Sequence, residues 1–457
     1  MAYRCTLLLI LAGILASLVP LTGSEIYSCF REEVPEVPDP EFSKGVTKFG
    51  LNLFKQVIRA QEQEGRVGEN TVMSPYSVWS ALCLAFFGAE GQTKTQLARA
   101  LRLTTKISTF NHWRFLNRML SSDGAVTTME TFGGRINSKI SNGRLNSKIR
   151  SRSSGAKSIF QSTNKAYFSH NMTLNPCLSA SLVELSHLDF SRPVTAALKI
   201  NMDVREATMG EIDNLVEPQD LLDVKFVLLN AVFFRGTWKT QFPLENTAPR
   251  MFHPTPVLSL GPVPMMTTLG SFKYAYRTPL EASLLELPYE TGFSLLVLLP
   301  AGEAVLAEMV VEKLSRRRLE EARNLMTEVD IEVTIPKFYM TTSINDLLKK
   351  TLVELGIVDL FSSRSDLSSF SNSSDLQLHS AIHQAKVRVN EEGTVAAAAT
   401  GLLGTRVGPV KFVCDSPFVF LIVDDLMHVP ILTGVFNRPI TDAPMTEDGH
   451  PSSRTVS

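Results

Sequence analysis

The sequence predicts a single large α+β domain with mixed β-sheets, and three observations predict it. Apolar residues recur at helical spacing through the first hundred residues. From Val224 onward, short runs rich in Val, Ile, Leu and Phe follow one another as strands. Neither a linker rich in Pro, Gly or Ser nor a βαβ alternation divides the 457 residues. With 44% hydrophobic and 20% charged residues, the chain holds enough apolar material for a large core. Its 45 Lys and Arg against 46 Asp and Glu leave a formal charge of −1, so no global field gathers nucleic acid or an anionic membrane. Any such binding has to come from a local patch.

In chain order, a positively charged start (Met1 to Arg4), an apolar run from Cys5 to Val19 and the small, turn-forming Pro20, Thr22, Gly23 and Ser24 have the pattern of a secretory signal peptide over 1–23. Residues 24–41 read as a polar, Pro-rich extension ahead of a domain spanning 42–439. Val46, Phe49, Leu53, Phe54, Val57 and Ile58 predict a helix from Phe42 to Gln63. Ser74-Pro75 offers an N-cap with Pro at the first helical position, feeding the apolar run Val78 to Phe87 that stops at Gly88. Thr93 and Gln96 make a capping box for a short helix ending near Leu101. Strands are expected at Val227 to Phe234, Leu284 to Leu287, Phe293 to Leu299, Ile331 to Ile335, Ala385 to Val389, Val410 to Val413, Phe418 to Val423 and Ile431 to Phe436, with helices at Glu303 to Met326 and Ile344 to Leu355. The tail over 440–457 is polar, and disorder is expected there.

A secreted, extracellular chain loses Cys5 with its leader and keeps Cys29, Cys83, Cys177 and Cys414. Four thiols allow three pairings, or they stay buried and unpaired; none of the spacings suits zinc or a redox pair. Asn171-Met172-Thr173 and Asn372-Ser373-Ser374 are glycosylation sequons, which matter in a secreted protein. Residues 133–158 carry Arg135, Lys139, Arg144, Lys148, Arg150, Arg152 and Lys157 and no acid, and they contain a near-duplication. Such a tract predicts an exposed loop or insertion, either an anchor for a heparin-like polyanion or a stretch with no partner.

No spacing supports a catalytic centre. There is no G-x-S-x-G elbow, no Gly-rich phosphate loop and no H-E-x-x-H; His379 and His383 lie four apart without the Glu of a metalloenzyme and read as structural. The sequence gives no reason to expect an enzyme, a metal or a cofactor. The most unusual stretch lies between the expected strand Ala385 to Val389 and the strand at Val410. In extended form Thr394, Ala396, Ala398, Thr400 and Leu402 share one face, and none is charged, so that face can be buried in a sheet without an unpaired ion. An Ala-rich helix or a simple surface loop is the other reading.

Many ordered motifs surround that stretch: Asn70 with Ser74-Pro75 and Ser77; Gly88-Ala89, Gly91, Thr93 and Gln96-Leu97; Thr163 to Phe168; Leu229 to Trp238, followed by Phe242, Thr247 and Phe252; Val263 to Met266; Leu287 to Tyr289; Ile335 to Phe338; His383 to Ala385; Glu391 to Thr400; and Pro417 to Ile422. On these residues, from about Phe42 to Pro439, the chain resembles the serpins, serine-protease inhibitors that trap their targets by inserting a reactive loop into a central β-sheet. The resemblance implies three mixed sheets flanked by about eight or nine helices, with an exposed reactive loop over 391–409. It implies a hinge at Glu391, Glu392, Gly393, Thr394, Val395, Ala396, Ala397, Ala398 and Ala399. It also implies a sheet-opening region of Asn70, Ser74, Ser77, Asn230 and His383, with Trp238 at its upper end. Counting along the hinge places the scissile bond after Val407, and a loop shorter by one residue places it after Arg406, whose guanidinium suits the buried Asp of a trypsin-like pocket. The function implied is a monomeric, secreted inhibitor that holds a trypsin-like serine protease as a covalent acyl complex. A non-inhibitory carrier, chaperone or storage member of the same family is the alternative.

Overall fold

The computed structural model describes residues 29–30, 39–120, 159–302, 304–373, 376–392 and 409–439. The leader, most of the extension, the basic tract, the reactive loop beyond Glu392 and the polar tail lie outside the described residues.

Helix α1 (Pro40–Gln63) starts where Asp39 accepts the Glu41 N–H at 2.9 Å, and it turns Phe49, Leu53, Phe54 and Val57 inward at helical spacing. A short strand β1 (Thr71–Met73) leads to α2 (Pro75–Gly88), capped by the Ser74 hydroxyl accepting the Ser77 N–H at 3.1 Å. Every residue of α2 is buried, as suits a helix that touches β-structure on several sides. At its end Gly88 faces the Phe370 ring, where an added Cβ would sit 1.9 Å from a ring carbon, so no side chain fits.

Helix α3 (Gly91–Leu101) follows without a side-chain cap. The expected capping box does not form, because its two residues serve a neighbouring segment. Thr93 Oγ1 accepts the Asp366 N–H at 2.9 Å, and Gln96 Oε1 accepts the N–H groups of Val358 and Asp359 at 2.9 and 2.8 Å. Helix α4 (Lys106–Leu120) completes the helical N-terminal part.

The remaining elements are β2 (Ile159–Ser169), α5 (Pro176–Ser181), β3 (Leu185–Leu188), α6 (Pro193–Ala207), β4 (Phe226–Arg235), β5 (Ala248–Thr255), β6 (Leu258–Ala275), β7 (Ala282–Pro288), β8 (Phe293–Pro300), α7 (Ala307–Lys313), α8 (Arg316–Asn324), β9 (Thr327–Pro336), β10 (Phe338–Ser343), α9 (Asn345–Glu354), β11 (Ser380–Val389), β12 (Val410–Val413), β13 (Phe418–Asp424) and β14 (Pro430–Phe436). The single helix expected over 303–326 is two, because the Ser315 hydroxyl accepts the Arg318 N–H at 3.3 Å and starts α8 afresh.

Among the described residues the strands form two hydrogen-bonded ladders. One has five strands in the order β10–β11–β4–β2–β3; the other has nine, β1–β14–β13–β8–β7–β6–β9–β12 with β5 beside β6. Two of the three expected sheets are thus continuous, joined through β6, whose 18 residues pair with β5, β9 and β7 in turn. Strand β4 lies in the middle of the five-stranded sheet and alternates between two cores. Phe226, Leu228, Val232 and Phe234 face the main core with α2, whereas Val227, Leu229 and Ala231 meet Ala196, Ala197, Ile200 and Val204 of α6 on the other side. A disulfide joins Cys29 to Cys177 across a Cα–Cα distance of 4.9 Å. Cys83 and Cys414 are buried and free, with thiol pKa values raised by burial.

Candidate functional site

Strands β11 and β4 pair in parallel over nine consecutive residues, from Ser380 beside Val227 to Arg388 beside Arg235. Both have antiparallel partners on their outer sides, β10 and β2 respectively. This parallel seam is where the polar candidates converge. Asn164 of β2, Asn230 of β4 and His383 of β11 are in register across three adjacent strands, and the amino-terminal turn of α2 meets this row.

The hydrogen bonds form a continuous chain. The Asn230 amide donates to Ser77 Oγ and to Asn164 Oδ1, the Ser77 hydroxyl donates to Asn164 Oδ1 at 2.9 Å, and the Asn164 amide donates to Ser80 Oγ at 3.2 Å. Across the seam, His383 Nδ1 meets Asn230 Oδ1, and the Ser74 N–H donates to His383 Nε2 at 3.1 Å. An acceptor at Nε2 leaves the ring proton on Nδ1, donating to Asn230. The ring is fully buried, and burial pushes its pKa down to about 3, so it is neutral throughout the physiological range. The Ser74 hydroxyl donates to the Ile431 carbonyl at 2.6 Å, tying the cluster to β14 in the second sheet.

The end of the seam is fixed by a second group of contacts. Trp238, just past β4, stacks on Tyr289 with ring centres 4.2 Å apart, and its Nε1 donates to the Asn390 carbonyl at 2.7 Å. Its backbone N–H donates to the Glu392 carbonyl at 3.0 Å. Gly236 permits the stack, since an added Cβ would lie 2.3 Å from the Tyr289 ring. Glu391 is buried, accepting the Thr247 hydroxyl at 3.0 Å and pairing with Lys337 at 3.0 Å. Glu392 is exposed, 3.8 Å from Arg235. Residues 390–392 are therefore held against the end of β4 as the chain leaves β11.

The family model described as Serpin (serine protease inhibitor) matches residues 44–439. The chain belongs to the serpin family. It is similar to the bovine (Bos taurus) protein named leukocyte elastase inhibitor, 31% identical over 400 residues that cover 84% of this chain and 95% of that one. It is also similar to macrophage plasminogen activator inhibitor 2 of Mus musculus, 30% identical over 429 residues, 87% of this chain and all of the other. The structure of native protease nexin-1 with heparin superposes with a TM-score of 0.72 at 24% identity, over 88% of this chain and all of that chain. Uncleaved ovalbumin superposes with a TM-score of 0.70, also at 24% identity, over 87% of this chain and all of that one. These two likenesses concern the fold.

In this serpin the structure brings Ser74, Ser77, Asn230 and His383 into one cluster and sets Trp238, Glu391 and Glu392 together at the end of the seam. Asn70 does not join either group. Its side chain accepts the N–H groups of Asn437 and Arg438 at 2.7 and 3.0 Å and donates to the Arg438 carbonyl at 2.6 Å, capping the chain after β14. Sequence reasoning missed Asn164 and Ser80. The signal was present, since Asn is unfavourable within a strand and Asn164 stands inside a strand-like run. Asn171 and Asn372 are both exposed. Gly393 to Ala399, Arg406, Val407 and the seven basic residues of 133–158 lie outside the described residues.

Proposed function

We propose that this serpin is a secreted inhibitor that captures a trypsin-like serine protease as a covalent acyl complex. The observation that carries the proposal is the parallel seam between β4 and β11, with the chain leaving the end of β11 into the segment that starts at Gly393. A segment folding back from β11 runs antiparallel to β11 and, because the two strands are parallel, antiparallel to β4 as well. It can enter between them and form ladders on both sides. The uncharged face of Thr394, Ala396, Ala398 and Thr400 suits that position.

The target's serine attacks the carbonyl of the bait residue and forms an acyl-enzyme. The freed segment then enters the seam and carries the attached protease with it, so inhibition is a race between insertion and hydrolysis of the acyl bond. Arg406 is the bait, through pairing of its guanidinium with a carboxylate in the protease pocket. The leader pattern and the Cys29–Cys177 bond support an oxidising, extracellular location, and the exposure of Asn171 and Asn372 supports their glycosylation. The basic tract supports a heparin-like polyanion as a second partner, as does the likeness to the structure of protease nexin-1 with heparin.

Mixing the protein with trypsin is the test. The expected result is an SDS-resistant complex together with a released peptide that begins at Val407, whereas a peptide beginning at Gly408 moves the bait to Val407. Cleavage without a stable complex overturns the inhibitory reading in favour of a carrier, chaperone or storage role. Serine at Arg135, Lys139, Arg144, Lys148, Arg150, Arg152 and Lys157 is expected to abolish heparin retention at physiological salt, and unchanged retention removes the polyanion from the account.

A further inference from the structure

The seam is covered on its α6 side, and the cover is fastened at both edges by single carboxylates. On the near edge Asp203 of α6 accepts the Tyr167 hydroxyl of β2 at 2.9 Å and pairs with Lys165 of β2 at 3.0 Å. On the far edge Glu211, in the turn after α6, pairs with Lys386 of β11 at 2.9 Å, and its own carbonyl accepts from the same Lys386 ammonium. Its second carboxylate oxygen is 3.8 Å from Arg388. Between these anchors Ile200, Val204 and Ile212 pack over Val227, Leu229 and Ile382, which belong to the two strands of the seam.

The far anchor is partly withdrawn from water: side-chain exposure is 15% at Glu211, 12% at Lys386 and 15% at Arg388. Both cations lie over the Tyr339 ring of β10, at 4.9 and 5.3 Å from its centre. Arg388 is the register partner of Arg235, so two like charges stand side by side at the end of the seam. Such a pair disfavours a closed ladder. Its acids are Glu211, facing Arg388 from outside the sheet, and Glu392, 3.8 Å from Arg235.

We propose that Glu211 is a positioning residue that sets the rate of loop insertion, acting as the far buckle of an ionic strap which runs from Lys165 and Tyr167 of β2, through Asp203 of α6, to Lys386 and Arg388 of β11. The inference rests on the reading that the segment after β11 enters between β4 and β11. Admitting a strand there moves β11 away from β4 by about one strand spacing, roughly 4.8 Å. The strap, packed on the β2 and β4 side, has to release Lys386 for that movement. Loss of Glu211 leaves Lys386, Arg388 and Arg235 with Glu392 as the one remaining acid among these contacts, and their repulsion then favours the open seam.

The test measures how fast the intact protein takes up a synthetic peptide of its own residues 394–407 as an inserted strand, read as the growth of a heat-resistant species. Glu211→Gln is expected to take up the peptide about tenfold faster than the native protein, the effect of losing one charge-assisted hydrogen bond from the barrier. Lys386→Gln is expected to act in the same direction, and the double variant to be no faster than the quicker single one, because both remove one contact. If Glu211→Gln does not fold, Lys386→Gln carries the comparison alone. Uptake at the native rate in these variants, or additive acceleration in the double variant, overturns the strap and leaves the insertion reading intact. A native protein that takes up no peptide overturns the insertion reading and the strap with it.

Discussion

His383 joins the two strands of the seam through one side chain, and its neutrality is the condition for doing so. Its folded pKa of about 3 lies below the ordinary imidazole value of about 6.5. Between those values the unfolded chain binds the proton more readily than the folded one. The stability from the neutral ring is therefore complete above pH 6.5 and is lost as pH falls toward 3, by up to about 1.4 kcal/mol per pH unit. Denaturation series from pH 7 to pH 4 are expected to show this loss in the native protein, and a shallower slope over the same window in His383→Gln. Glu391 is the other residue on which the seam's end depends. Glu391→Gln removes the charge that pairs with Lys337 and is expected to lower stability by about 1–3 kcal/mol, measured by urea unfolding at neutral pH.

His383 and its partner Asn230 also show what was legible at this scale. Asn230 and His383 were reached through the family resemblance, and the register shows the physical reason for them, since each buried polar side chain is supplied with the other as a partner. Asn70 was reached by the same resemblance and has a different destination, since nothing in its local sequence says that its partners are Asn437 and Arg438, at the far end of the chain.

Among the elements, the strands of the two cores were legible as apolar runs, and the structure lengthens most of them by a residue or two. It starts β9 four residues earlier, at Thr327, and β11 five residues earlier, at Ser380, which is what brings His383 into the strand. Long, partly exposed strands were not: β6 has eight exposed residues among its 18, which blurs any periodicity. The capping box at Thr93 failed for a related reason, because a side chain able to cap its own helix can equally accept an N–H from a segment hundreds of residues away. The pairing of Cys29 with Cys177 could not be read from spacing at all. Its loop spans 148 residues, so the double replacement Cys29→Ser with Cys177→Ser is expected to cost about 2–5 kcal/mol of stability, visible as a lower urea midpoint with a steeper slope, because the uncrosslinked unfolded chain exposes more surface. For the segment proposed to enter the seam, the expectation rests on face alternation. Thr394→Arg places a charge on the inward face and is expected to turn the inhibitor into a substrate, with protease activity recovering fully after the loop is cut.

At the scale of the whole molecule, the five-stranded sheet contains a parallel pair held by its own ladder, by one side-chain bridge through His383 and Asn230, and by contacts at one end of the seam. A parallel pair flanked by antiparallel partners is a sheet that gains by accepting one more antiparallel strand between them. On the proposed reading, the intact fold is held by a kinetic barrier while a more stable arrangement of the same chain exists, and loop cleavage lets the chain reach it. The most direct measurement is the thermal unfolding of the protein before and after a single cut between Arg406 and Val407. The account predicts that the cut form, with its two fragments still associated, unfolds at a clearly higher temperature than the intact one. Unfolding of both forms at the same temperature, or of the cut form at a lower one, contradicts it.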